Sequence, residues 1–209
     1  MENILVAGAN GTTGKKVVNL LKASQYFNPV AMVRKEEQLD QFKKDGIDTV
    51  LGNLEEDLSH TVKNIDKVIF AAGSGGKKVV AVDQEGAKSL MDASKKANVK
   101  RFVMLSSMGA DNPDAAEDLK AYLIAKHNAD EYLKQSDLNY MIVRPGTLTN
   151  DKGTGKISLK KHFEKQGSIT RDDVAQTLVH ALHEDAGSNE TFEILEGDTL
   201  IGKALNSVS

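Results

Sequence analysis

The sequence has 209 residues, of which 40% are hydrophobic and 27% are charged, and its formal net charge is −3. These values fit one globular domain with a large core and leave no excess of basic residues for a nucleic-acid surface. The absence of cysteine excludes disulfides, thiolate metal sites and cysteine nucleophiles. No apolar run approaches membrane-spanning length, and the first residues lack a signal-peptide pattern. We therefore expect a cytoplasmic protein without membrane partners, whose oligomeric state the sequence does not specify.

The chain begins with a strand, a glycine-rich turn and a helix in direct succession. The apolar run 3–7 leads into the turn, and apolar residues at helical spacing follow it. Glycine permits a tight turn and lets the backbone approach a phosphate, while the new helix attracts the anion with its free N–H groups. This context favours a dinucleotide site over an ordinary strand-to-helix turn. The predicted binding residues are Gly8, Asn10, Gly11, Thr12, Thr13 and Gly14.

Short apolar segments alternate with helical segments along the rest of the chain. This alternation predicts an α/β, doubly wound, mostly parallel Rossmann sheet with helices on both faces. We predict one domain over residues 1–209, in which 147–209 supplies a small substrate-side portion. The further strands are expected at 29–33, 47–51, 67–72, 100–105, 140–144 and 191–195, and the further helices at 36–44, 55–62, 79–97, 115–135 and about 170–184, with a short one near the C-terminus.

The start of this last long helix carries a capping signal, because Thr170 precedes two aspartates of the first turn. The preceding stretch 157–166 is polar and predicts no regular element. His180 and His183 are three residues apart on the predicted helix, but no clustered ligands accompany them. The sequence therefore predicts no metal site.

The end of the second strand indicates which nicotinamide cofactor is bound. An acidic side chain there binds the ribose 2′-hydroxyl of NAD, whereas arginine accepts the 2′-phosphate of NADP. Arg34 stands at this point and Lys35 adds a second cation, while Glu36 and Glu37 fall inside the next helix. A guanidinium matches phosphate in a bidentate manner. We predict NADP(H) rather than NAD(H), with a merely solvated Arg34 as the alternative.

Residues after the third and fourth strands complete the predicted cofactor site. Asn53 either contacts the adenine or serves as a turn residue, and Leu54 follows it. Ala71, Ala72 and Gly73 end the fourth strand, where small side chains are needed if a ribose crosses the strand ends.

Ser107, Tyr122 and Lys126 form the predicted catalytic set, and Lys126 is also expected to bind the nicotinamide ribose of the cofactor. Tyr122 and Lys126 are four residues apart on a predicted helix and therefore share one face. A nearby ammonium favours the phenolate form of a tyrosine, which suits it to general acid–base work. Ser107 would hold a substrate oxygen, and Ser106 is the alternative, because adjacent residues of a strand point in opposite directions.

These segments together resemble an atypical short-chain dehydrogenase/reductase of the NmrA-like, NAD(P)H-binding branch, which includes flavin/biliverdin reductase-like proteins. The resemblance implies the strand order 3-2-1-4-5-6-7 and places Pro145 and Gly146 near the nicotinamide. Asn53 stands where this family usually has aspartate. Its atypical members often keep the cofactor site without using a serine–tyrosine–lysine set. The segments that resemble the family are 8–14, 33–34, 71–73, 100–107, 122–126, 138–146 and 169–175.

Three functions follow in order of preference. The first is an NADP(H)-dependent oxidoreductase that transfers hydride to a small carbonyl, quinone or flavin. The second is a non-catalytic module that senses the NADP redox state and signals to a protein partner. The third is a nucleotide-sugar epimerase or dehydratase, disfavoured because only about sixty residues follow Pro145, fewer than a typical extra substrate domain.

Overall fold

The computed structural model describes residues 1–207 and contains eleven strands and six α-helices in that range. The strands are β1 (Glu2–Ala7), β2 (Phe27–Val33), β3 (Asp48–Leu51), β4 (Lys67–Phe70), β5 (Arg101–Leu105), β6 (Tyr140–Pro145), β7 (Thr147–Thr149), β8 (Lys156–Lys160), β9 (Ser168–Thr170), β10 (Glu190–Glu196) and β11 (Thr199–Leu200). The helices are α1 (Thr12–Lys22), α2 (Glu36–Lys44), α3 (Gly86–Lys96), α4 (Lys120–Gln135), α5 (Arg171–His180) and α6 (Ile201–Leu205).

Nine strands form the central sheet in the order β11-β8-β10-β6-β5-β4-β1-β2-β3. The seven strands from β10 to β3 pair in parallel and have the predicted order 3-2-1-4-5-6-7, which confirms a doubly wound Rossmann-like domain. β8 and β11 continue the sheet in antiparallel pairing. β7 and β9 pair with each other in a separate two-stranded sheet.

Hydrophobic layers cover both faces of the central sheet. Successive residues of a strand point to opposite faces, so Ile4 and Val6 join one buried cluster and Leu5 and Ala7 join the other. The first layer includes buried residues of α1 and α5, and the second includes residues of α3 and α4. Burial on both faces explains why the central parallel strands are largely apolar. Within residues 1–207, none of the helices is long and apolar enough to cross a bilayer.

The helix predicted over 55–62 does not form. Turns occupy this stretch because short polar side chains bind the nearby backbone and compete with helical hydrogen bonds. Asn53 Oδ1 accepts from the Glu55 N–H at 3.3 Å, and Asp57 Oδ1 accepts from the Ser59 N–H at 3.4 Å.

The helices predicted over 79–97 and 115–135 begin differently from the sequence expectation. A π-helical segment, Val79–Glu85, precedes α3. Two short 3₁₀ turns, Pro113–Ala115 and Glu117–Leu119, precede α4. In both cases the regular helix starts later in the chain than periodicity alone indicates.

The C-terminal third shows one confirmed signal and two errors. The Thr170 side chain accepts a hydrogen bond from the Asp173 N–H, which confirms the predicted cap. α5 ends at His180, so His183 lies beyond the helix. The polar stretch 157–166, for which no regular element was predicted, contains most of strand β8. Polar and apolar residues alternate in β8, as is typical of a strand with one solvated face, and Ile157 is fully buried.

Candidate active site

A cleft of about 1000 Å³ runs along the carboxyl ends of the central parallel strands. This edge, where the strand order reverses, is where doubly wound proteins bind ligands. The predicted site residues that line the cleft are Gly8, Asn10, Gly11, Thr12, Thr13, Arg34, Asn53, Leu54, Ala71, Ala72, Gly73, Tyr122 and Lys126. The predicted residues outside its lining are Gly14, Lys35, Ser107, Pro145 and Gly146.

The glycine loop has the geometry that a pyrophosphate requires. Gly8 has φ +86°, and a Cβ there would lie 2.6 Å from the backbone of Ala72. Gly11 caps α1 without a side-chain hydrogen bond, and the first turn has no acidic residue, so the helix N-terminus remains available to an anion. Asn10 Oδ1 is buried without a hydrogen-bond partner among the described residues. These residues fit a nicotinamide dinucleotide.

Gly14 lies outside the cleft lining and packs against the backbone of the glycine loop. A Cβ at Gly14 would lie 2.1 Å from the carbonyl oxygen of Gly8, a contact that only a shift of the backbone could relieve. We expect Gly14→Ala to weaken NADPH binding at least about tenfold and to destabilise the fold by roughly 1–3 kcal/mol, as overpacking generally does. Fluorescence titration with NADPH and urea unfolding measure the two effects.

Gly202→Ala is the matched control for this substitution. A Cβ at Gly202 would meet only the His180 ring, at 3.4 Å, and alanine is a better helix former than glycine. Its NADPH affinity and stability should equal or exceed those of the wild type. If Gly14→Ala bound NADPH as tightly as the wild type, the prediction would be wrong. The position of the loop backbone would then not determine NADPH affinity.

Arg34 and Lys35 occupy different environments. Arg34 is exposed, lines the cleft, and its guanidinium has no hydrogen-bond or ion-pair partner within residues 1–207. Lys35 lies outside the lining, and its Nζ is 3.2 Å from Glu37. Both backbone N–H groups donate to Gln38 Oε1 at 3.2 Å, which fixes the start of α2. Of these two cations, Arg34 is therefore the one positioned to contact a ligand.

The opposite wall of this end of the cleft is formed after β3. Asn53 lines it, but its Oδ1 accepts from the Glu55 N–H and its Nδ2 donates to Glu56 at 2.9 Å. These are the contacts of a turn residue, the alternative left open by the sequence. Leu54 supplies apolar surface beside it. The cleft also includes Met32, Gln38 and Gly52, which the sequence did not single out.

Lys126 is held at the other end of the cleft. It is 3% exposed, its Nζ donates to the Leu105 carbonyl at 3.2 Å, and it lies 5.7 Å from the centroid of the Tyr122 ring. The two side chains thus share one helix face, as their spacing predicts. Both reach the same cavity as the glycine loop.

Asp83 is a site residue that the sequence reading missed. Its side chain is 1% exposed; Oδ1 lies 3.8 Å from Lys126 Nζ, and Oδ2 accepts from the Ser74 N–H at 3.0 Å. Oδ1 has no hydrogen-bond partner among the described residues. The signal in the sequence was a carboxylate directly after the apolar run 79–82. The structure places it on a π-helical segment, a geometry common at functional sites.

The serine pair after β5 is arranged in the opposite way to the preferred prediction. Ser106 lines the cleft, whereas the Ser107 hydroxyl donates to the Met108 carbonyl at 3.2 Å. Ser106 Oγ in turn donates to Asp130 at 2.8 Å. A hydroxyl has one proton, so neither serine, as placed, donates to a substrate carbonyl. Tyr122 and Lys126 are the remaining donors of the predicted set.

Asp130 and Arg144 form a buried ion pair beneath Ser106. Asp130 is fully buried, and Arg144 Nε donates to it at 2.9 Å. Burial raises the pKa of the Asp130 carboxyl, and the Arg144 charge and the Ser106 hydrogen bond oppose this rise. The pair links the floor of the cleft to strand β6.

Pro145 and Gly146 lie at the end of β6, away from the cleft lining. The Pro145 carbonyl accepts from the Met108 N–H at 2.9 Å. A Cβ at Gly146 would lie 2.4 Å from the Gly167 carbonyl oxygen, so glycine allows the segment before β9 to approach. Their predicted proximity to the nicotinamide stays a prediction.

The strand order, the glycine loop and the cleft at the switch point define a dinucleotide-binding α/β protein. Residues 8–185 match the model of a protein family described as NAD(P)H-binding. The chain belongs to this family of atypical short-chain dehydrogenase/reductase-like, NAD(P)-binding proteins.

The similarity to known proteins extends over nearly the whole chain. The sugar epimerase YhfK of Bacillus subtilis, itself described as uncharacterized, is 42% identical over 98% of this chain and 99% of its own. A solved structure from Bacillus halodurans, provisionally described as an NAD-dependent epimerase/dehydratase, has a TM-score of 0.94 and 42% identity over 99% and 100% of the two chains. The oxidoreductase ylbE of Lactococcus lactis has a TM-score of 0.90 and 33% identity over 99% and 96%.

Proposed function

We propose that this protein is an NADP(H)-dependent reductase that acts on a small carbonyl, quinone or flavin. The observation that supports this most is the continuity of the cleft from Arg34, past the glycine loop, to Tyr122 and Lys126. A dinucleotide lying along it would have its 2′-phosphate at Arg34 and its nicotinamide beside the tyrosine. The similarity to an oxidoreductase over 99% of the chain agrees with this reading.

Each residue of this end has a defined task in the proposal. Bound NADPH supplies the hydride. Tyr122 donates a proton to the reduced acceptor, and the buried Lys126 lies beside it, with its Nζ 5.7 Å from the centroid of the Tyr122 ring. Asp83 and the Leu105 carbonyl hold the Lys126 ammonium in place. A bound nicotinamide would shield these groups from water.

The function is tested by following NADPH oxidation with a panel of quinones, flavins and small carbonyls. Acceptor-dependent oxidation supports the reductase. Discrimination between reduced and oxidised cofactor without turnover of any acceptor would favour the redox sensor. The names of two relatives favour a second enzymatic candidate, a nucleotide-sugar epimerase or dehydratase. Tightly retained oxidised cofactor together with turnover of a nucleotide sugar would establish that candidate instead.

The preference for NADP(H) rests on Arg34. We expect Arg34→Ala to weaken NADPH binding by roughly 10- to 100-fold, the value of one charge-assisted phosphate contact, and to leave NADH binding nearly unchanged. Added salt should reduce the ratio of NADPH affinity to NADH affinity, because salt screens the exposed charges of Arg34 and the 2′-phosphate. Parallel titrations with NADPH and NADH measure both effects.

Lys35→Ala provides the matched control, since Lys35 is a neighbouring cation that pairs with Glu37 and lies outside the cleft lining. It should change NADPH affinity far less than Arg34→Ala does. Equal affinity of the wild type for NADH and NADPH would assign Arg34 to the solvated surface and remove the cofactor preference.

A further inference from the structure

A cluster of three possible metal ligands lies outside the cleft lining. Asp111 follows β5, His162 lies between β8 and β9, and Glu193 belongs to β10. His162 Nδ1 is 3.3 Å from Asp111 Oδ2 and 3.5 Å from Glu193 Oε1, and the three ligand atoms lie within 4.8 Å of one another. The fold therefore gathers one imidazole and two carboxylates from segments that are distant in sequence.

Glu193 provides the second observation that points to a ligand. Its side chain is 1% exposed, and its Oε2 accepts from the Phe163 N–H at 2.6 Å, which fixes the carboxylate. The other oxygen, Oε1, is buried without a hydrogen-bond partner among the described residues and faces His162. Burying a carboxylate oxygen without a partner is unfavourable, so an additional group at this point would satisfy it.

The distances suit a shared metal ion better than direct ion pairs. Zinc bonds to histidine nitrogen and carboxylate oxygen are about 2.0–2.2 Å, so neighbouring ligands of a tetrahedral ion are roughly 3.3–3.6 Å apart. The two spacings to His162 Nδ1 fall in this range. Charge-assisted hydrogen bonds between nitrogen and carboxylate oxygen are shorter, about 2.7–2.9 Å.

The charge of the cluster also matches a divalent ion. Two carboxylates and one imidazole are oxygen and nitrogen ligands of the kind that Zn²⁺ takes, and the carboxylates supply negative charge. Arg144 is one nearby cation, but its Nε pairs with the buried Asp130, and its Nη1 lies 3.8 Å from Asp111 Oδ1 rather than from the oxygen that faces His162. Arg144 thus lies on the far side of Asp111 from His162, where outer-shell groups of a metal site are found.

We propose that Asp111, His162 and Glu193 bind one divalent transition-metal ion, with Zn²⁺ as the best match to the ligand types and spacings. His162 is 62% exposed, which leaves the remaining coordination position to water. The ion would join the segment after β5, the connection between β8 and β9, and β10. It is independent of the proposed hydride transfer, because none of the three residues lines the cofactor cleft.

The test uses the untagged full-length chain, so that no affinity tag supplies histidine. Calorimetric titration with ZnCl₂ should show one site per chain, and Zn²⁺ should raise the melting temperature. Co²⁺ should give the strong visible absorption of a tetrahedral site. His162→Ala and Glu193→Gln should each weaken Zn²⁺ binding by at least roughly 10- to 100-fold, since even the loss of an outer-shell partner has that effect. His60→Ala removes a histidine that contacts the Leu51 carbonyl instead, and should bind Zn²⁺ like the wild type.

Absence of a stoichiometric site in the wild type would overturn the proposal, and so would unchanged Zn²⁺ affinity in His162→Ala. Because His162 is exposed, this variant should fold even if Glu193→Gln does not. If either of these two results were obtained, the cluster would be an ion pair between histidine and carboxylates.

Discussion

The Tyr122→Phe variant is expected to reduce acceptors roughly 100- to 10,000-fold more slowly than the wild type, the usual contribution of a positioned general acid. Its NADPH affinity should change little, because the substitution removes only the hydroxyl and the ring still lines the cleft beside Lys126. Steady-state kinetics with an acceptor from the screen, together with an NADPH titration, separate the two effects.

Tyr132→Phe is the matched control, because Tyr132 lies on the same helix but donates to Asp92 at 2.7 Å, outside the cleft lining. It should retain wild-type turnover. Unchanged turnover by Tyr122→Phe would remove this residue from the mechanism and favour direct hydride transfer to a flavin or quinone, which needs no protein acid at that point.

The Asp130→Ala variant is expected to lose about 3–5 kcal/mol of unfolding free energy. The substitution leaves the Arg144 guanidinium, which is 4% exposed, without its buried partner, and Asp111 at 3.8 Å is a poor replacement. This loss is a large share of the roughly 5–15 kcal/mol that stabilises a typical domain. Urea unfolding monitored by circular dichroism measures it.

The combined change Asp130→Leu with Arg144→Met tests the cause. Removing both charges leaves no unpaired ion, so the double variant should be more stable than Asp130→Ala. Asp137→Ala breaks an exposed pair with Lys95 and should have little effect. A double variant less stable than Asp130→Ala would mean that the cost comes from packing rather than from the stranded charge.

The sequence by itself determined the features that depend on neighbouring residues. The succession of β1, the glycine loop and α1 was predictable because these elements are consecutive in the sequence. Glycine at positions 8 and 14 indicated a tight turn between the strand and the helix. The same holds for Arg34 at the end of β2, for Tyr122 and Lys126 on one face of α4, and for the Thr170 cap. The alternation of strands and helices predicted a doubly wound sheet with few possible topologies, because crossovers are right-handed, and the resemblance to the family implied its strand order.

The tertiary structure decided which of these side chains meet. Whether Ser106 or Ser107 faces the cleft depends on which face of β5 packs against α4, and adjacent residues of a strand give no local sign of this choice. Asp83 reaches Lys126 only because its π-helical segment packs beside α4, and β8 pairs with β10 more than thirty residues away. Asp111, His162 and Glu193 belong to three distant segments. Contacts of this kind are set by the packing of whole elements, so no local pattern in the sequence encodes them.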